Sequence, residues 1–65
     1  MVLNMKINTH WNIVSRYTDP DTGEKRETIM AFSLSESYSK LICELLRSSD
    51  DEPNRDYFYY KVESK

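Results

Sequence analysis

The sequence predicts a two-layer α+β domain of ββαβ order, with a three-stranded antiparallel sheet in spatial order 2-1-3 and one helix packed on one face. Three observations predict it. Side chains from Met5 to Tyr17 alternate with the two-residue period of a strand, Asp19-Pro20-Asp21-Thr22-Gly23 carries hairpin chemistry, and apolar residues between Leu34 and Leu46 recur at helical spacing.

The first strand reads Met5, Ile7, Thr9, Trp11, Ile13, Ser15, Tyr17 on one parity and Lys6, Asn8, His10, Asn12, Val14, Arg16 on the other. One face can therefore meet a core and the other water. A strand longer than the usual five or six residues suits the centre of a sheet. In the turn, Pro20 presets an early position and Gly23 is free to take positive φ. A four-residue loop, Pro20 to Gly23, opposes Asp19 to Glu24, Ile13 to Met30 and Trp11 to Phe32. Apolar parity selects this register, which gives a second strand over about 24–32 with Thr28, Met30 and Phe32 inward and Lys25, Glu27, Ile29 and Ala31 outward.

Ser33 followed by Glu36 has capping-box spacing, and Leu34, Tyr38, Leu41, Ile42, Leu45 and Leu46 then form one apolar stripe on a helix over 34–48. The stretch from Ser48 to Arg55 has no period and reads as an acidic loop. Asp56 to Glu63 alternates again as a third strand, with Phe58, Tyr60 and Val62 inward and Tyr57, Tyr59, Lys61 and Glu63 outward. On that parity Phe58→Ala costs about 3 to 5 kcal/mol and Tyr59→Ala leaves the fold intact. The helix carries the chain back across the sheet, so the third strand runs antiparallel to the first on its free side.

The 65 residues read as a single small domain spanning 1–65, whose stability without a staple is about 3 to 5 kcal/mol. A lone Cys43 forms no internal disulfide, and no apolar run is long enough for a signal peptide or a membrane span. Together these favour a reducing cytoplasm, no membrane partner, and a partner chain as the staple, including a homodimer through a strand edge. With 9 basic and 11 acidic residues, bulk charge points to neither nucleic acid nor membrane.

Site chemistry is sparse. Asp19-x-Asp21-x-Gly23-Glu24 has the opening of a calcium loop, but its twelfth position is Met30 where a bidentate carboxylate is needed. Asp50, Asp51 and Glu52 read as a solvated loop, and Cys43 with His10 falls short of a four-ligand zinc site. The same two residues lie on opposite sides of the predicted layers, which separates them as a nucleophile and base. No phosphate loop or nucleophile elbow is present. The expectation is a protein with no catalytic residues, no metal and no cofactor.

The outward parity collects Lys6, His10, Asn12, Arg16, Lys25, Tyr57, Tyr59 and Lys61 on the face that no helix covers, with four basic residues against two acidic ones when Glu27 and Glu63 are included. These eight are the expected partner-binding residues. A protein partner is favoured, because Tyr and Arg are common interface anchors. A nucleic acid is the alternative, since amides, aromatics and cations on an open sheet also suit bases and phosphates. Strand, D-P-x-T-G turn, strand and helix over Trp11 to Leu46 also resemble part of the arm-type DNA-binding domain of some tyrosine recombinases, from which the chain departs in its third strand after the helix and in lacking a basic excess. The function expected is a small non-enzymatic interaction module, of the kind phages and mobile elements use to regulate or inhibit a host factor such as a defence system, binding through the open face or a strand edge.

Overall fold

The computed structural model describes residues 9–63; the expected strand residues before Thr9, Lys6 among them, lie outside that span. The order is β1 (Thr9–Thr18), β2 (Lys25–Ser33), α1 (Glu36–Ser49) and β3 (Arg55–Glu63). The sheet order is β2-β1-β3 with both pairings antiparallel, the ββαβ arrangement that the alternation predicts.

Near the turn the hairpin register is the expected one. Asp19 N–H donates to the Glu24 carbonyl at 2.8 Å, and Thr18 stands opposite Lys25. Gly23, at φ 76°, donates to the Asp19 carbonyl at 2.8 Å, in a conformation a β-carbon would disfavour. The Asp19 carboxylate accepts from the backbone of Asp21 at 2.9 Å, so it organises the turn from within.

Beyond Val14, which opposes Ile29, the register shifts, and Ile13 pairs with Ala31 where Met30 was expected, Trp11 with Ser33 where Phe32 was expected. Met30 is the extra residue of a β-bulge. Directly opposed residues share a face, so the shift turns Ala31 toward the helix and Phe32 away from it. The expected inward placement of Phe32 is thereby corrected: its side chain is 74% exposed.

A second correction concerns β3. Tyr57 opposes Ser15, Tyr59 opposes Ile13 and Lys61 opposes Trp11, which puts these three on the helix side and Phe58, Tyr60 and Val62 on the open side. The loop before β3 supplies the physical reason. Tyr57 buries its ring and donates its hydroxyl to Asp50 Oδ2 at 2.7 Å, and the same carboxylate oxygen accepts from Arg55 at 3.0 Å. Arg47 on the last turn of α1 donates to the Tyr57 carbonyl and to Asp56 Oδ1, the latter at 3.2 Å. A tyrosine can therefore enter this layer with its polar end satisfied, which an apolar count along the strand does not register.

The helix begins two residues later than Ser33 and Glu36 predict. Ser35 is the N-cap, at φ −130°, and its side chain accepts from Tyr38 N–H. Ser33 instead accepts from Ser35 N–H at 3.1 Å, shaping the approach to the cap. Ser39, fully buried, returns its hydroxyl to the Ser35 carbonyl at 2.9 Å, which allows a polar residue in the layer. The core is Ile13, Cys43 and Tyr57, with Ala31, Ile42, Leu46 and Tyr59 packed around it. The predicted stripe is thus divided. Ile42 and Leu46 pack on the sheet, while Leu34, Tyr38, Leu41 and Leu45 are exposed.

Candidate interaction surface on the open sheet face

The pairing places His10, Asn12, Val14 and Arg16 of β1 on the uncovered face, between Lys25, Glu27, Ile29 and Phe32 of β2 and Asp56, Phe58, Tyr60 and Val62 of β3. Val14 is only 2% exposed although no second layer covers it. Its cross-strand neighbours Ile29 and Phe58 close over it, forming a small apolar cluster at the centre of the face. Around that centre Ile29 is 57%, Phe32 74% and Tyr60 44% exposed.

The aromatic rings are organised in two groups. His10 meets Phe32 edge-on with centroids 6.0 Å apart, and Phe58 stacks on Tyr60 at 6.3 Å. Asn12 Nδ2 donates to the Tyr60 hydroxyl at 3.3 Å, and the Arg16 guanidinium lies 4.6 Å from the centre of the Phe58 ring. Arg16 also pairs with Glu27, Nη2 to Oε2 at 2.6 Å. These contacts hold the side chains in place before any partner arrives, which lowers the entropy lost on binding.

Of the eight residues expected to bind a partner, His10, Asn12, Arg16 and Lys25 lie on this face, and Lys6 is outside the described residues. Tyr57, Tyr59 and Lys61 do not lie on it. They belong to the helix side, where Tyr57 is 6% exposed. Lys61 leaves the open face together with Glu63, and among the described residues Arg16 and Lys25 share that face with Glu27, while the carboxylate of Asp56, opposite Arg16 in register, is engaged by Arg47 of α1. In their place the face gains Phe32, Phe58 and Tyr60. Aromatics occupy both parities of Tyr57-Phe58-Tyr59-Tyr60, so the alternation alone could not separate the two sets.

On the other side a shallow groove between α1 and β3 is lined by Lys40, Cys43, Glu44, Arg47 and Asp56, among others. Burial pushes the Cys43 thiol up, against the pull of Arg47, so the thiolate is disfavoured. His10 is on the opposite face of the sheet from Cys43. Among the described residues no group of three or more His, Cys, Asp or Glu is placed to hold a metal ion. No described helix is long and apolar enough to cross a membrane.

The loop network gives the fold an acid-sensitive point. The Tyr57 hydroxyl first, then the Glu52 N–H and Arg55, hold the Asp50 carboxyl below its ordinary range, and the Tyr57 N–H with Arg47 does the same for Asp56. A folded-state value below the unfolded one means that the stabilisation is complete above about pH 4 and is lost as pH falls through the lower folded value. Thermal melts should therefore shift to lower temperature below about pH 4, with Asp50→Asn less stable at neutral pH and showing a flatter acid limb. An acid limb as steep in Asp50→Asn as in the parent chain would remove Asp50 from this role.

Fold and surface together define a small α+β domain with an ordered aromatic face on an open antiparallel sheet. No protein family, curated protein or solved structure matches the chain.

Proposed function

We propose that this chain is a non-enzymatic protein-interaction module that binds an apolar surface of another protein through its open sheet face. The exposed Ile29 and Phe32 of β2 and Tyr60 of β3, on either side of Asn12 and the buried Val14 of the middle strand, are the observation that carries this reading. Large apolar side chains exposed together on one face, with Arg16 already paired to Glu27, match the anatomy of a protein interface. A phosphate-binding surface would need unpaired cations, whereas Arg16 is engaged by Glu27. Regulation or inhibition of a host factor, the role of many small phage and mobile-element proteins, is a use such a module would serve.

The test is affinity capture from cells that naturally express the chain, comparing it with Phe32→Asp. Phe32 is largely exposed, so Phe32→Asp should keep the parent circular dichroism and melting temperature while losing a stoichiometric protein partner, with affinity falling by about thirtyfold or more. Capture should change little with salt. A nuclease-sensitive ligand whose affinity falls steeply with salt would overturn the proposal in favour of nucleic acid.

A further inference from the structure

Beyond Tyr57 the outer side of β3 is an open hydrogen-bonding edge. Thr18 N–H donates to the Asn54 carbonyl at 2.9 Å, so Asn54 faces β1, and the unbroken register of β3 against β1 carries that direction to Phe58, Tyr60 and Val62. Tyr57, Tyr59 and Lys61 then turn their backbone N–H and carbonyl groups away from β1. Tyr57 shows the same phase independently: its N–H donates to Asp56 Oδ1 at 2.8 Å and its carbonyl accepts from Arg47, both outside the sheet ladder. Arg47 thus closes the edge at Tyr57. Tyr59 and Lys61 offer donors and acceptors on a side where the order β2-β1-β3 places no further strand, and an extended chain is what matches such a row of groups.

We infer that this edge pairs with the same edge of a second copy of the chain, antiparallel about a two-fold axis at Tyr60. Tyr59 of each copy then stands opposite Lys61 of the other, and each such couple exchanges both of its N–H···O bonds. Charge selects both the second copy and the register. Tyr59 donates its hydroxyl to Glu36 at 3.5 Å, so Lys61 of one copy arrives beside Glu36 of the other, and Glu63 arrives opposite Tyr57, where Arg47 is held. The edge therefore carries its own complement. Sliding the pairing to the next allowed register one way sets Lys61 against Lys61, and the other way sets it against Tyr57 beside Arg47, so either slide brings like charges together. In the single chain Lys61 pairs with Glu63 of its own strand at 3.2 Å, an exposed contact that costs little to exchange.

This pairing sets Tyr60 against Tyr60 of the second copy as a closely spaced couple without hydrogen bonds, and Phe58 beside Val62. Both helices fall on one side, so the two open faces join into one continuous surface to which each copy contributes Phe58 and Tyr60. The groove of about 350 Å³ between α1 and β3 is lined by no residue of β1, so it lies on the outer side of β3, where it receives Lys61 and Glu63 of the second copy. The other edge is less suited, since the Met30 bulge breaks β2. A closed core of Ile13, Cys43 and Tyr57 is small for an independent domain, which is the condition that strand pairing between copies relieves.

Sedimentation of the full chain should give twice the 7.8 kDa chain mass at high concentration, dissociating on dilution as a small interface does. Lys61→Pro removes an N–H that faces outward, a change an edge strand tolerates, so it should keep the parent circular dichroism while raising the dimer Kd by about tenfold or more. Opposed Cα atoms about 4.5 Å apart suit a disulfide, so Tyr60→Cys chains should cross-link to themselves under oxidised glutathione. Phe32→Cys chains, substituted on the far strand, should not. Phe32→Asp should leave the Kd unchanged, which keeps this test separate from that of the sheet face. A chain that stays monomeric into the millimolar range, a dimer indifferent to Lys61→Pro, or Phe32→Cys cross-linking as fast as Tyr60→Cys would each overturn the inference.

Discussion

Tyr57→Ala should abolish cooperative folding. The ring is 6% exposed and shares the core with Ile13 and Cys43, and truncating a buried aromatic costs about 3 to 5 kcal/mol, comparable to the whole stability of a domain this size. The same change leaves Asp50 without the hydroxyl that donates to it. Phe58→Ala, one residue on, should cost only about 1 to 2 kcal/mol, because Phe58 is half-buried on the open face against Arg16 and Tyr60. This reverses the ranking that apolar parity along β3 predicts. Urea titrations followed by circular dichroism decide it: a near-parental midpoint for Tyr57→Ala with collapse of Phe58→Ala would return β3 to the sequence-based parity.

Ile13→Ala should be almost as damaging, at about 2 to 5 kcal/mol. Ile13 is fully buried at the centre of the middle strand, between Ala31 and Tyr59 and beneath α1. Because α1 is fixed at both ends by its cap and by Arg47, it has little freedom to collapse into the space left, and the cavity term remains. Val14 is a useful control at 2% exposure, since it is covered only by side chains of its own face, which can move inward when it is truncated. Val14→Ala should cost about 1 to 2 kcal/mol. A larger loss for Val14→Ala than for Ile13→Ala would mean that the open face, not the helix layer, holds the main core.

The sequence by itself determined the element order, the antiparallel 2-1-3 sheet and the inward face of β1, because each rests on a local signal. Alternation over a long segment, the Pro-to-Gly turn and a helical apolar stripe are properties of neighbouring residues, and no tertiary contact was needed to read them. Half of the candidate site, His10, Asn12, Arg16 and Lys25, follows from that same alternation.

Only the tertiary structure decided the other half. The Met30 bulge turns Phe32 outward and Ala31 inward, and a small residue beneath the helix lets α1 approach the sheet. The phase of β3 is set by hydrogen bonds from a loop with no period: Tyr57 to Asp50, Arg55 to Asp50, and Arg47 to the Tyr57 carbonyl. Four aromatic residues in succession offer nearly equal apolar area on either face, so burial alone leaves the phase degenerate. What breaks the tie is where a phenol hydroxyl can be satisfied, and that depends on a carboxylate brought near by the fold.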